Sequence, residues 1–418
     1  MRYTLGELAE IIDGDRGKNY PQQNEFFDSG YCLFLNTGNV TNHGFSFEQN
    51  QFITKEKCDI LRKGKLQRGD IVYTTRGTVG NAAYYSEAVE YEHIRINSGM
   101  VIIRPNNDIV DTRFLYQILK SDYYRPFFKQ FCTGSAQPQL PIKNFSKIEL
   151  DIPALAIQTR IADILSAYDD LIENNQKQIK LLEEAAQRLY KEWFVDLRFP
   201  GYEDVKVVDG VPEGWKQKTV KDCLAFHGNG GWGKETPTGK NMHSGKVIRG
   251  TDIEDIKSGH FENVPTRYHS DNDIKSKTLT EYDLVFELSN GNINNIGRCL
   301  FIDDLILKQC GENTICASFC KLLRPLDKIH SLLLYLEIQD MQTSGRMIPL
   351  KKHGANGINN FDFDGFLNHT LLISEDITMA APIEAIMKNI SKIQRKITLL
   401  KETRDRLLPK LMSGEMEV

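Results

Sequence analysis

The feature that most restricts how this chain can fold is that its second half repeats the order of its first. Asp70-Ile71-Val72-Tyr73 and Val79-Gly80-Asn81-Ala82 in the first half match Asp283-Leu284-Val285-Phe286 and Ile296-Gly297-Arg298-Cys299 in the second. Each pair reads as a short apolar strand, a glycine-containing turn and a second strand. Ile102-Ile103-Arg104-Pro105 is matched by Leu322-Leu323-Arg324-Pro325, and each is followed by a helical stretch, around 114–119 and 332–338. A loop rich in glycine and amides comes next, Gly134-Ser135-Ala136-Gln137-Pro138-Gln139 or Gly354-Ala355-Asn356-Gly357-Ile358-Asn359-Asn360, and then a last strand, 148–152 or 370–373. Several matches in one order imply duplication, so the chain is expected to build two alike units. Its 418 residues also exceed one ordinary core.

Each half ends in a long helical pattern. The first runs Ile161, Leu165, Tyr168, Ile172, Asn175, Ile179, Leu182, Ala186, Leu189, Trp193, and the second Ile383, Ile386, Ile390, Ile393, Ile397, Leu400, Arg404, Leu407, Leu411. Steps of three and four over this length describe a heptad seam. The competing reading is two amphipathic helices packed on separate cores. Asn175, a polar residue in the seam, would fix register. The first helix is acidic (Asp163, Asp169, Asp170, Glu173, Glu183, Glu184, Glu192) and the second basic (Lys388, Lys392, Arg395, Lys396, Lys401, Arg404, Arg406, Lys410), which favours their pairing with each other. If the halves are related by a two-fold axis, the helices run antiparallel. About 40 residues of helix span ~60 Å, the scale of one or two turns of duplex DNA at ~34–36 Å each.

Composition narrows the class. An apolar fraction of 40% and a charged fraction of 26% are those of a globular protein. A net charge of -4 argues against a chain coated in nucleic acid but not against a basic face. Arg113, Lys120, Arg125, Lys129, Lys143 and Lys147, with Asp122 the sole acid among them, form one candidate phosphate-facing stretch. The cysteines read as reduced thiols. Cys310, Cys316 and Cys320 lack paired C-x-x-C spacing, so no zinc site is expected. No apolar leader or membrane-length run is visible, and a cytoplasmic protein is expected.

The glycine and amide loops are the best candidates for chemistry. Asn and Gln can contact adenine through two hydrogen bonds, and Arg or Lys can contact guanine. Gln137, Gln139, Asn356, Asn359 and Asn360 lie on one corresponding loop. Arg76 lies on another, opposite Asn290, Asn292 and Asn294. Lys129, Lys143, Arg298, Lys351 and Lys352 are nearby candidates for DNA contact. The competing reading is that Asn and Gly only form turns.

At this point the chain resembles the specificity subunits of type I restriction–modification systems, over nearly its whole length. The resemblance rests on Gly134-Ser135-Ala136-Gln137-Pro138-Gln139-Leu140, Ile161-Ala162-Asp163-Ile164-Leu165-Ser166, and Leu181-Leu182-Glu183-Glu184 through Trp193-Phe194-Val195-Asp196-Leu197-Arg198-Phe199. Gly214-Trp215 and Leu407-Leu408-Pro409-Lys410-Leu411-Met412-Ser413-Gly414-Glu415 extend it. It implies an α+β fold: two tandem homologous target recognition domains, residues 1–153 and 199–375, separated by helical regions 154–198 and 376–418 that form an antiparallel coiled coil with pseudo-two-fold symmetry. It also implies that each domain reads half of a bipartite site in double-stranded DNA. The helices would set the spacer and dock two methyltransferase subunits, and motor/nuclease subunits would join for restriction. The second loop departs from the Gly-Ser-Ala-Gln form, which puts its base contacts in doubt.

An enzyme is not expected in this chain itself. It has no Pro-Pro dipeptide of the kind that grips a flipped adenine, and no Walker A pattern. Gly228-Asn229-Gly230-Gly231-Trp232-Gly233 is not a dinucleotide fingerprint and reads as a mobile loop at a DNA-facing edge. Glu149-Leu150-Asp151 reads as structural, and the histidines lack H-x-x-x-H pairing. No cofactor is expected here; S-adenosylmethionine, ATP and Mg2+ would sit on partner subunits. The alternative is a coiled-coil scaffold or a DNA-binding defence module that modifies nothing.

Overall fold

The computed structural model describes all residues except 43, 48, 135–137, 355–356, 375 and 417–418, together with the side chain of residue 377. The chain divides into two compact units, Met1–Leu171 with Leu400–Val418, and Ile172–Leu399.

The first unit is built on a four-stranded antiparallel sheet of β1 (Ala9–Asp13), β2 (Ile71–Thr74), β3 (Ala82–Tyr84) and β4 (Met100–Pro105), in the order β1-β4-β2-β3. Ile71, Tyr73, Val101 and Ile103 face a core that includes Phe114, Leu115 and Ile118 of helix α1 (Thr112–Lys120), while Val72 and Ile102 face a second core on the other side. Alternation along each strand thus feeds two layers. That second core carries a three-stranded sheet: Cys32–Leu35 in the middle, antiparallel to Phe52–Ile53 and parallel to Ile94–Ile96. Arg2–Thr4 pairs with Glu149–Asp151, and the chain then enters helix α2 (Leu155–Tyr190).

The second unit repeats this plan. Strands β5 (Leu224–Asn229), β6 (Leu284–Glu287), β7 (Cys299–Phe301) and β8 (Cys320–Pro325) pair in the order β5-β8-β6-β7, all antiparallel. Here too a three-stranded sheet flanks them, His243–Ile248 lying antiparallel to Thr266–His269 and parallel to Ile315–Cys316. Helix α3 (Lys328–Thr343) stands where α1 does, and Trp215–Thr219 pairs with Thr370–Ser374.

The repetition extends to single bonds. Asp70 is buried and takes both Nε (2.9 Å) and Nη2 (2.8 Å) of Arg104; Asp283 is buried and takes both Nε (2.8 Å) and Nη2 (2.7 Å) of Arg324. Each aspartate also accepts a backbone N–H three residues earlier, from Gln67 or Thr280, at 2.7 Å. The aspartate and arginine that mark the repeated sequence blocks are therefore one buried fork in each unit.

Helix α2 passes from the first unit to the second, and helix α4 (Ala381–Ser413) passes back. In the first unit Ile161 and Leu165 share a core with Leu408 and Leu411, and Asp169 forms an ion pair with Arg404 at 2.8 Å. Rising numbers on one helix meet falling numbers on the other, so these segments are antiparallel and the acidic helix meets the basic one. In the second unit Ala186 and Tyr190 share a core with Ile383. Ile161, Leu165, Ile172, Asn175 and Ile179 are buried as the heptads place them, and so are Ile383, Ile390 and Ile397; Leu182 and Leu189 are half-buried. The far end of α4 differs. Ile393, Leu400 and Leu407 are half-buried, and their neighbours Gln394, Lys401 and Leu408 are buried. Two of these buried positions are polar, and Gln394 Nε2 donates to the Lys257 carbonyl at 2.7 Å, a role invisible to a hydrophobic pattern. The seam also ends early. A π turn over Lys191–Val195 adds a residue, so Phe194 rather than Trp193 is buried.

Among the described residues, no helix is long and apolar enough to cross a membrane, and no group of three His, Cys, Asp or Glu is placed to hold a metal ion. Cys310, Cys316 and Cys320 are buried.

Candidate nucleic-acid interface

The candidate loops from distant parts of the sequence meet in both units, and they meet at the same positions. In the first unit Arg76 forms an antiparallel bridge to Gln139, and Gln139 forms a second bridge to Thr133. In the second unit Ser289–Asn290 pairs with Asn359–Phe361, which pairs in turn with Lys351–Lys352, so that Asn360 faces both Ser289 and Lys352. Counting from the buried forks, Asp70 corresponds to Asp283 and Arg76 to Ser289. Gln139 and Asn360 then occupy one structural position. Both are amides and both are exposed. Gln137 and Asn356 lie outside the described residues.

The ribbon of the second unit is held by its own amides. Asn359 is buried; its Nδ2 donates to the carbonyls of Gly291 (2.9 Å) and Asn290 (3.4 Å), and its Oδ1 lies 3.1 Å from His353 Nδ1. Asn290 donates to Glu287 at 2.7 Å and accepts the Asn292 N–H at 2.7 Å. Asn292 accepts the Asn294 N–H at 3.0 Å, which caps a short turn. These are turn-forming bonds of the kind Asn favours. The amides exposed at the surface are those of Asn292, Asn294 and Asn360, with Asn360 Oδ1 accepting from Ser289 Oγ at 2.7 Å. Lys351 reaches the Asn294 carbonyl at 3.4 Å, and its partial burial lowers its pKa. Lys352 pairs with Asp362 at 3.0 Å.

Arg298 is placed differently from the other candidates. Its Nε is 2.8 Å from Glu287, a buried carboxylate, and its Nη2 donates to the Gly250 carbonyl at 2.8 Å. It occupies the position of Asn81, whose buried Nδ2 likewise donates to a backbone carbonyl, that of Val40, at 2.9 Å. Both side chains brace the turn beneath the ribbon. In the basic stretch of the first unit, Arg113, Lys120 and Arg125 are engaged by Asp163, Asp169 and Asp122, whereas Lys129, Lys143 and Lys147 are exposed.

The glycine loop after β5 is pinned, contrary to the expectation of mobility. The Gly230 N–H donates to the Cys320 carbonyl (3.1 Å) and the Gly231 N–H to the Cys316 carbonyl (2.8 Å). A Cβ on Gly230 would lie 2.1 Å from the Ala317 oxygen, so only glycine permits the approach. Gly14 plays the same part in the first unit, where a Cβ would lie 2.3 Å from the Asn97 oxygen. Four residues went unread in the sequence: Thr133 and Ser289 on the ribbons, and the turn residues Gly99 and Phe319 that abut them. Only the register between far-separated strands reveals these.

Two topologically equal units, each presenting an exposed amide on a short strand ribbon, define a duplicated protein. Comparison with known proteins gives the following likenesses. Residues 1–184 match the family described as type I restriction modification DNA specificity domain. The chain is 26% identical over 381 residues to the type I restriction enzyme MjaIX specificity subunit of Methanocaldococcus jannaschii, covering 84% of this chain and 78% of that one. It is 30% identical over 199 residues to the HindI specificity subunit of Haemophilus influenzae, covering 46% of this chain and 42% of that one. Among solved structures, the type I S subunit from M. genitalium aligns over 99% of this chain and 96% of its own, with a TM-score of 0.49 and 13% identity. The family model over the first 184 residues and the relatives above carry one description, and the chain is similar to type I restriction–modification specificity subunits.

Proposed function

We propose that this chain gives DNA sequence specificity to a cytoplasmic type I restriction–modification complex, each unit reading one half of a bipartite, asymmetric target. The observation that carries the reading is the equivalence of the two ribbons, in which Gln139 and Asn360 stand at one position on two copies of the same frame. Two copies of a frame with different side chains suit two half-sites of different sequence. Amides at exposed strand ribbons suit adenine edges in the major groove, while Lys129, Lys143 and Lys147 suit phosphates. On this reading residues 1–153 and 199–375 are the recognition domains, and regions 154–198 and 376–418 set the spacer and dock two methyltransferase subunits.

The chain is then non-catalytic. S-adenosylmethionine binds the partner subunits that methylate adenine at N6, and ATP and Mg2+ serve the motor/nuclease subunits. Mapping methylated adenines across the genome of cells with and without the gene tests this. One bipartite motif should lose its methylation when the gene is absent; an unchanged pattern of adenine methylation would refute it.

A further inference from the structure

The equivalence of the two units exposes one position where they differ sharply. In the first unit the carbonyl of Gly99 accepts the N–H groups of Thr75 (2.9 Å) and Arg76 (3.1 Å), the residues that lead into the ribbon. In the second unit the carbonyl of Phe319 accepts the N–H groups of Leu288 (2.9 Å) and Ser289 (3.3 Å), the corresponding pair. Gly99 has no side chain, and a Cβ there would meet Thr37 at 2.6 Å. Phe319 carries a full phenyl ring, and the residue is 59% exposed.

The turn that holds the ring is firmly bonded. The Ala317 N–H donates to the Ile248 carbonyl and the Cys320 N–H to the Ala317 carbonyl, both at 2.8 Å. The next residue, Cys320, is fully buried. The backbone is thus anchored on both sides of the ring. A single exposed apolar residue is ordinary on a protein surface. This one adjoins the amide ribbon, which also exposes Ile358, and the equivalent position in the sister unit, Gly99, has no side chain.

We infer that Phe319 is a specificity-determining residue of the second unit, making apolar contact with the 5-methyl group of a thymine in its half-site. In the major groove that methyl is the one apolar group that distinguishes a base pair, and an apolar side chain is its natural partner. The neighbouring amides read hydrogen-bonding edges, so ring and ribbon together discriminate more than either alone. The first unit, with Gly99, lacks this contact. The inference rests on the DNA-reading function proposed above.

The test uses the assembled methyltransferase complex with the full chain, its motif first mapped by adenine methylation. Duplexes carrying that motif, with each thymine of the second half replaced in turn by uracil, remove one methyl at a time. The parent complex should bind about three- to fivefold more weakly when one of these methyls is lost. Phe319→Ala should bind that thymine and uracil duplex equally, and Phe319→Leu should keep the preference. In cells Phe319→Ala should relax one position in the second half of the motif and leave the first half intact. A parent complex indifferent to every such uracil, or a Phe319→Ala complex that keeps both preference and motif, overturns the assignment. Exchange of residues 199–375 separates this from the underlying reading. If the exchange rewrites the second half of the motif while Phe319→Ala does not touch it, the Phe319 contact fails and the reading stands. If the exchange rewrites nothing, the reading itself fails.

Discussion

Replacing Glu337 with glutamine should loosen the second unit where it grips helix α2. Glu337 lies on α3 and is 3% exposed. It receives the Tyr190 hydroxyl from α2 at 2.7 Å and Arg346 Nη1 at 2.8 Å, and lies 2.6 Å from His369 Nε2. Burial alone would raise its pKa; the bonds from His369, Arg346 and Tyr190 outweigh burial and bring it down to about 2. An unfolded glutamate titrates near ~4.3, so the displacement of about two units corresponds to roughly 3 kcal/mol at neutral pH. Because the folded value is the lower one, this stability is complete above the unfolded pKa and is lost as pH falls from there toward about 2. Urea unfolding of parent and Glu337→Gln chains at pH 7, 5 and 3 reads both quantities. The variant should be less stable by about 2–4 kcal/mol at pH 7, since the Arg346 guanidinium loses its buried carboxylate partner. The gap should narrow by more than about 1 kcal/mol at pH 3. A gap below about 0.5 kcal/mol at pH 7, or one that does not change with pH, would refute the reasoning.

Other perturbations follow from the duplicated frame. Asp70→Ala and Asp283→Ala each strand a partly exposed arginine and an N–H group, and each should cost about 2–4 kcal/mol by urea unfolding; a large effect in one unit and none in the other would contradict their equivalence. Gly230→Ala and Gly14→Ala drive a Cβ to 2.1 and 2.3 Å from backbone oxygens, and each should lower stability by roughly 2–4 kcal/mol; melting curves like the parent's would count against the pinned loops. Asn359→Ala frees the carbonyls of Gly291 and Asn290, which should cost about 1–2 kcal/mol and weaken methylation only through the second half-site. The purified chain without partners should transfer no methyl group from labelled S-adenosylmethionine to DNA; robust transfer would place an active site here.

Much of this was legible because duplication writes the same physics twice. The aspartate of one strand and the arginine of another recur at matching places, and the structure makes each pair a buried fork. The heptad spacing of α2 follows from burial of Ile161, Leu165, Ile172 and Ile179. The α4 register did not read through, because Gln394 and Lys401 occupy buried positions that a hydrophobic pattern assigns to their neighbours. The three-stranded sheets were hidden for another reason. Their strands are short, and the parallel partners Cys32–Leu35 and Ile94–Ile96 lie far apart in sequence, so no local signal joins them. The ribbon was half visible: amides and glycines marked the loops, but only strand register showed that Gln139 and Asn360 are equivalent and that Arg298 braces rather than projects.

The most direct test of the account is the adenine-methylation motif written by complexes carrying Gln139→Ala or Asn360→Ala. The account predicts that the first change relaxes or abolishes recognition in one half of the motif, the second does so in the other half, and each leaves the opposite half unchanged. If both variants alter the same half, or if neither alters the motif while the complex still assembles and methylates, the two ribbons are not the paired readers described here.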